Sequence, residues 1–404
     1  MEIITDEKKI NEIFDRGTIV NVIPSKDNIK ERMLNGERLR MYWGFDATAP
    51  TLHLSHAKNF MLLEKFRQLG HEVIVLFGDF TARIGDPTGE DSARKQLSRE
   101  DVLENIKKWK EMVAPLMDFD NKLNPVVIKY NHDWLSKMNF EDVIKLSSNF
   151  TVQQMLERDM FDKRMKENKP IYVHEFFYPL MQGYDSVAMD VDIELCGTDQ
   201  TFNALVGRTL QKRINNKEKS VIAVTLMENP KTGELMSKSK GTGVFLDWDA
   251  NKMFGGVMAQ DDEMLEVLFL NNTLLSKEEI QDILKTDARD AKLRLSSEIV
   301  KIFYGEEKAL EAKKNWITQF SDKKIPDNLE EFNFSAGIKI LEILKETKFV
   351  SSNKEGRRKI DEGAVKILSL DGEKEEKISD YFQEISEGEK VLKLGNINFN
   401  HFFP

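Results

Sequence analysis

Apolar positions along the chain switch between a helical and a strand period, and the switches mark its elements. Within residues 1–40, Ile10, Ile13 and Phe14 recur at helical spacing, which predicts helix through this stretch. The run Arg40-Met41-Tyr42-Trp43-Gly44-Phe45 then reads as a short strand. Over residues 57–69, Phe60, Met61, Leu63, Phe66 and Leu69 share one helical face, and Gly70 follows as a stop. A second strand, His71-Glu72-Val73-Ile74-Val75-Leu76-Phe77-Gly78, comes directly after. Strand, helix and strand in so short a length form a βαβ unit. The fold class is therefore α/β, with a parallel sheet and a ligand site at the carboxyl ends of its strands.

Residues 99–170 read as mostly helical, with one apolar strand-like run, Pro125-Val126-Val127-Ile128, and form an expected insertion between two halves of the sheet domain. The sheet is expected to resume over residues 187–195 and again at Ser220-Val221-Ile222-Ala223-Val224, which closes a first domain near residue 248. Residues 249–325 carry a helical pattern, a polar stretch over 321–328 resembles a linker, and residues 335–404 read as a small separate α/β unit. A length of 404 residues accommodates two or three domains with a sizeable core.

Composition narrows the class. No stretch approaches the ~20 apolar residues of a membrane helix, and Met1-Glu2-Ile3-Ile4-Thr5-Asp6-Glu7 lacks a basic segment followed by an apolar run. The single cysteine, Cys196, excludes an internal disulfide and a multi-cysteine zinc site, and reads as a small core residue. The expected address is cytoplasmic, with no membrane partner. A net charge of -10 means that a nucleic-acid partner would have to be held by local basic patches.

Two segments carry candidate chemistry. The first runs Gly44-Phe45-Asp46-Ala47-Thr48-Ala49-Pro50-Thr51-Leu52-His53-Leu54-Ser55-His56, between a strand and a helix. Two imidazoles three residues apart at a helix N-terminus, with its unpaired N–H groups and dipole, suit an anion such as a transferred phosphate. The pair lacks the glutamate, spacing and third ligand of a helical zinc site; capping or surface histidines are the plain alternative. The second is Met236-Ser237-Lys238-Ser239-Lys240-Gly241, a cation-bearing loop with glycines at 241 and 243, suited to closing over a polyphosphate. An ordinary solvated loop is its alternative.

In this order on a sheet domain, the two segments resemble the paired signatures of class I aminoacyl-tRNA synthetases. Further stretches resemble the tyrosyl-tRNA synthetases of bacteria: Tyr42-x-Gly44-Phe45-Asp46-x-Thr48, Ala82-Arg83-Ile84-Gly85-Asp86-Pro87-Thr88-Gly89, Tyr178-Pro179-Leu180-Met181-Gln182-Gly183-Tyr184-Asp185-Ser186, and Glu194-Leu195-Cys196-Gly197-Thr198-Asp199-Gln200. The resemblance implies a Rossmann-like catalytic domain with an inserted helical segment, a helical anticodon-side domain, a C-terminal RNA-binding domain of the S-four type, and a homodimer. It implies L-tyrosine, ATP with Mg2+, and tRNA(Tyr) as partners, with no metal held by the protein itself. Tyr42 and Asp185 would face the phenolic hydroxyl. Asp86, Tyr178 and Gln182 would hold the ammonium, where a buried cation requires a counter-charge. Gln200 would meet the carboxyl end, and Gly197 with Asp199 the ribose. Thr48, His53 and Lys238 would stabilise the leaving pyrophosphate, with His56 close to the nucleotide; Gly44, Asp46, Ser237 and Ser239 complete the ATP set. Lys354, Arg357 and Arg358, at i, i+3 and i+4, form a basic helical face able to grip phosphates.

The chain departs from that pattern at three places. Ser55 stands where the family has glycine, Leu235 replaces the first lysine of the loop, and Gly395-Asn396-Ile397-Asn398-Phe399 lacks the basic residues usual after that glycine. Lys231 and Lys240 are the candidates for a substitute loop charge. An impaired relative retained as an RNA-binding protein is the alternative to an active enzyme. A tryptophan-specific reading fits less well, because indole offers only a donor to Tyr42 and Asp185.

Overall fold

The computed structural model describes residues 2–86, 98–236, 243–321, 330–333, 337–350, 352–369, 375–384, 390–394 and 398–403. The chain divides into two compact units, Met1–Gly305 and Glu306–Pro404. The first is built on six strands: β1 Ile19–Ile23, β2 Arg40–Phe45, β3 Glu72–Phe77, β4 Val127–Tyr130, β5 Ile193–Gly197 and β6 Ser220–Val224. Their spatial order is β1-β6-β5-β2-β3-β4. β6, β5, β2, β3 and β4 run parallel, and β1 closes the edge antiparallel to β6. The chain proceeds from β2 toward β3 on one side and returns to β5 on the other. The β2–β5 seam is thus the point where strand order reverses, and a crevice opens there at the carboxyl ends.

Helices on both faces explain the near-continuous apolar sequence of β3, whose Val73, Ile74, Val75, Leu76 and Phe77 are all buried. The Leu54–Gln68 helix follows β2 and is buried almost all round, including Lys58, Asn59 and Arg67. Arg67 is accommodated by Glu64 and by the carbonyl of Asn124 at 2.9 Å. The Phe177–Met189 and Thr201–Asn215 helices lie against each other at Gly183, where a Cβ would meet Leu210 and Val206 at 2.9 Å.

Three expectations from periodicity are corrected. Residues 1–40 are not helical throughout: helices Glu7–Asp15 and Lys26–Leu34 flank β1, whose alternative as helix loses to the ladder it forms with β6. Residues 187–189 end a helix rather than begin a strand, because Asp190 takes a left-handed conformation at φ 48° and β5 starts at Ile193. The strand expected inside the 99–170 insertion is part of the sheet itself, as β4 pairs with β3 from Ile74↔Val127 to Phe77↔Tyr130.

The first unit continues through helices Ala250–Met258, Leu265–Asn272, Lys277–Ile283 and the start of Ala288–Ser321, which is interrupted at Gly305 (φ 84°). Arg16 binds this layer to the N-terminal helix. Its guanidinium donates to the carbonyls of Leu270 and Leu275 at 2.7 Å and of Thr273 at 2.5 Å, at and just beyond the end of the Leu265–Asn272 helix. Asn272 in turn donates to the carbonyl of Leu54 at 2.9 Å, fixing the entrance of the histidine-bearing helix.

In the second unit, strands β7 Glu330–Asn333, β8 Val365–Leu368, β9 Glu375–Lys377, β10 Lys390–Leu394 and β11 Asn398–Phe403 form a sheet of order β7-β11-β10-β8-β9. Helices Ile340–Glu346 and Asn353–Asp361 contribute Ile340, Leu344 and Ile360 to a core with Val365 and Leu392. Among the described residues, no helix is long and apolar enough to cross a membrane.

Arg16→Met is expected to leave three carbonyls without their donor and to destabilise the first unit by about 2–3 kcal/mol. A lowered urea midpoint with unchanged m-value is the measurement that checks it.

Candidate active site

A cavity lies at the β2–β5 seam, with Tyr42, Asp46, Tyr178, Gln182, Asp185 and Glu194 among its walls. Tyr42 enters from β2 and is buried, its hydroxyl 3.0 Å from Ser186 Oγ. Asp185 enters from the Phe177–Met189 helix, and its carboxylate accepts from Trp134 Nε1 at 2.8 Å and Asn131 Nδ2 at 3.3 Å. Burial raises the Asp185 carboxyl well above the usual range, opposed by those two donors. Burial, with the charges of Glu194 and Asp185, likewise raises Tyr42, so its hydroxyl keeps its proton.

Asp46, at the end of β2, is bound by Thr81 Oγ1 at 2.6 Å and by the Tyr178 hydroxyl at 2.8 Å. Burial pushes its carboxyl up to about 7. Gly78 is required beside it, because a Cβ there would collide with Asp46 Oδ1. Asn131 also donates to Thr81 Oγ1 at 3.0 Å, so Asp46, Thr81, Asn131, Asp185 and Trp134 form one hydrogen-bonded chain across the segments that follow β2, β3 and β4 and the Phe177–Met189 helix.

Of the residues assigned to the ammonium, Tyr178 and Gln182 share this cavity. Asp86 is engaged elsewhere: Arg158 donates to it at 2.8 Å and Gln200 at 2.9 Å. Arg158 is 4% exposed and its second terminal nitrogen has no partner among the described residues; the same holds for Asn203 Oδ1. Asn203 donates to Gln182 at 2.9 Å and to Gln200 at 2.8 Å, joining the two glutamines. Gly197 ends β5, Asp199 is exposed in the following turn, and a Cβ on Gly197 would collide with Asp199 Oδ1.

The histidine segment forms the other wall of the crevice. His53 caps the Leu54–Gln68 helix, and its backbone N–H donates to His56 Nδ1 at 3.3 Å, which places the His56 proton on Nε2. His53 Nδ1 is buried without a partner among the described residues. Thr48 is exposed in the turn between Asp46 and this helix, and its N–H donates to the Asp46 carbonyl at 2.8 Å. Gly44 lines the cavity itself. The turn is supported by the Arg99–Val113 helix: Asn105 and Trp109 donate to the carbonyls of Ala47 and Ala49 at 2.9 Å, and Trp109 stacks on Phe45. Ser55 and the buried Lys58, whose ammonium burial lowers to about 7, occupy the first turns of the same helix.

Lys238, Ser237, Ser239 and Lys240 lie outside the described residues, as do residues 87–89 and 395–397. Their neighbours define where the lysine loop leaves and returns. Met236 is held by the Met227 carbonyl at 2.7 Å, while Val244 accepts from Leu54 N–H at 3.0 Å and Phe245 pairs with His53. Lys231 is already matched with Glu263 at 3.0 Å. In the second unit, Lys354, Arg357 and Arg358 are exposed on the Asn353–Asp361 helix, whose Gly356 and Ile360 face the core. Asn131, Trp134, Arg158, Asn203, Glu194 and Lys219 were not legible as site residues. Only Glu194, a charge in the middle of an apolar strand, carried a local signal.

A largely parallel sheet covered by helices, with two histidines at the N-terminus of the helix after β2 and a polar cavity at its switch point, is the arrangement of a nucleotide-binding type of α/β fold. The model for tRNA synthetases class I (W and Y) matches residues 34–321, and the chain belongs to that family. It is 39% identical to the tyrosine–tRNA ligase of Carboxydothermus hydrogenoformans over 98% of both chains. It is 38% identical to that of Haemophilus influenzae, covering 98% of this chain and 97% of the other. A C-terminally truncated mitochondrial tyrosyl-tRNA synthetase from Aspergillus nidulans shares the fold with TM-score 0.66 at 22% identity, over 77% of this chain and 94% of that one.

Burial lowers His53 to about 4, and burial with the neighbouring His53 lowers His56 to about 3, against 6.5 for a free imidazole. The unfolded chain therefore takes up these protons first on acidification. The stability associated with the two groups is complete above about 6.5 and is lost progressively below it, through about 4 for His53 and about 3 for His56. Histidine NMR titration of the free protein is expected to show both rings neutral from pH 8 to about 5; a transition of either near 6.5 would contradict this environment.

Proposed function

We propose that the protein acts as a tyrosine–tRNA ligase. L-tyrosine and ATP give tyrosyl-adenylate and pyrophosphate, and the tyrosyl group then passes to the 3'-terminal adenosine of tRNA(Tyr). The observation that carries this reading is the placing of Tyr42 and Asp185 on one buried cavity. A ligand hydroxyl between them meets a phenol and a carboxylate already held by Ser186, Trp134 and Asn131. A site built to pair a hydroxyl rejects the analogue lacking it by ~10⁴–10⁵, which an apolar pocket does not achieve. The relatives named above carry the same activity in their names.

Each remaining role follows from local chemistry. Tyr178 and Gln182 stand where they would meet an ammonium, with Asp86 supplying charge through a rearrangement of its Arg158 and Gln200 partners. Gln200 would then reach the carboxyl end, and Gly197 and Asp199 the ribose. The unpartnered His53 Nδ1, the His56 Nε2 proton and the exposed Thr48 suit the phosphates of ATP and its Mg2+. Gly44 and Asp46 border the same crevice, and Ser237, Lys238 and Ser239 belong to a loop whose flanks are anchored beside His53.

For tRNA, the exposed Lys354, Arg357 and Arg358 supply a phosphate-binding face in a protein of net charge -10. We assign residues 1–248 to catalysis, 249–325 to the anticodon side and 335–404 to RNA anchoring. Exposed Phe140, Ile144 and Val152, at 79%, 54% and 62%, support a homodimer through the segment after β4. A cytoplasmic address fits these partners.

Exchange of labelled pyrophosphate into ATP is expected to require tyrosine and to reject phenylalanine. Asp185→Asn or Tyr42→Phe should lower that discrimination by tenfold or more with little change in ATP affinity. Unaltered ratios in both variants would remove the pocket from the reading.

The charge that builds on departing pyrophosphate is assigned to Lys238, since Leu235 offers none and Lys231 is paired with Glu263. Lys238→Ala should slow adenylate formation by ~10²–10³ with little change in ATP affinity. Lys231→Ala and Lys240→Ala should each cost less than about tenfold by the same pre-steady-state measurement. A near-normal Lys238→Ala rate would favour an impaired, RNA-binding relative.

A further inference from the structure

Behind the cavity lies an ion pair that the roles above do not use. Glu194, in the middle of β5, is 2% exposed, and Lys219, immediately before β6, is fully buried. Their side chains form a direct salt bridge. All three protons of the Lys219 ammonium have acceptors: Glu194 Oε2, Ser186 Oγ at 2.8 Å and the Ala204 carbonyl at 3.1 Å. The space is built for it, since a Cβ on Gly207 would meet Lys219 Nζ and Ser186 Oγ.

The pair reaches the ligand cavity by two arms. On one, Ser186 stands between Lys219, Glu194 Oε2 at 3.3 Å and the Tyr42 hydroxyl at 3.0 Å. Tyr42 and Glu194 are also register partners across the β2–β5 seam, and the Lys219 ammonium lies 5.9 Å from the Tyr42 ring centre. On the other arm, Glu194 Oε1 accepts from Gln182 Nε2 at 3.0 Å. That bond fixes which end of the Gln182 amide is the donor and leaves its oxygen toward Asn203 at 2.9 Å. One carboxylate thus orients a residue at the hydroxyl end of the cavity and another at the ammonium end.

A buried pair of this kind is a poor source of net stability, because desolvation offsets most of its attraction. Its use has to be sought in orientation. We propose that Glu194 and Lys219 are positioning residues for amino-acid selection: Glu194 holds Tyr42, through Ser186, and Gln182 in register with the ligand, and Lys219 is the counter-charge that lets a carboxylate stand there. This rests on the proposed tyrosine-activating function and extends it to two residues to which that function assigns no role. The arrangement acts through the direction of hydrogen bonds, so its loss falls on the selective step and spares the nucleotide.

The test is tyrosine- and phenylalanine-dependent pyrophosphate exchange on the full chain, with thermal unfolding as the check on folding. Breaking one partner leaves a buried unpaired charge, so the decisive variant is the neutral double substitution Glu194→Gln with Lys219→Met. It is expected to lower the tyrosine-to-phenylalanine ratio of kcat/KM by tenfold or more and to raise KM for tyrosine, with KM for ATP unchanged. Ser186→Ala, which keeps both charges and the Gln182 arm but removes the hydroxyl that links the pair to Tyr42, is expected to lower the ratio with a smaller effect on tyrosine KM. A folded double variant with the wild-type ratio overturns the proposal; if that variant fails to fold, an unchanged ratio in Ser186→Ala does so instead. Wild-type protein without tyrosine-dependent exchange sinks the underlying function, and this inference with it, before any variant is compared.

Discussion

Carboxylates at the carboxyl ends of a parallel sheet are exposed to opposing demands: ligand chemistry requires them, while burial works against their charge. Here Asp46 and Asp185 meet that constraint together. Thr81 and Asn131 bridge them, and Trp134 and Tyr178 occupy the outer positions. The donors come from the segment after β3, the segment after β4 and the Phe177–Met189 helix, so the bridge closes only when these and β2 are all in place. The sheet order and the helix approach at Gly183 are, in this sense, the support for one hydrogen-bonded chain.

The same logic explains the tightness of the histidine wall. A turn between β2 and its helix would be a mobile loop were it not roofed by Trp109 and Asn105 and fastened below by Asn272. His53 and His56 are held neutral by burial and offer directed imidazole groups rather than diffuse positive charge. Preorganised donors of this type need no reorientation when charge develops near them. Val244 and Leu246, which follow the lysine segment, pair with Leu54 and Leu52, so they share one frame with the histidines.

Much of the fold was legible because the chain is locally consistent. Gly70 stops the long apolar helix, and β3 is a continuous apolar run that only a sheet covered on both faces accommodates. β1 was not legible. Its burial alternates poorly and its strand identity comes from pairing with β6, some 200 residues later in the sequence. The end of the Phe177–Met189 helix was misplaced for a related reason: Val187 and Met189 are apolar in either period, and the stop is the backbone of Asp190.

The sequence by itself determined the two chemical segments and their order on a βαβ frame. Those features are local, since spacing within one strand–turn–helix places Gly44, Asp46, Thr48, His53 and His56 without help from the rest of the chain. Tertiary structure alone decided which partner each buried charge meets. Asp86 meets Arg158 across 72 residues, Asp185 meets Trp134 across 51, and Glu194 meets Lys219 across 25. No period or propensity encodes such pairings, because a buried charge is stable only beside a partner, and partners are chosen by the packing of whole elements.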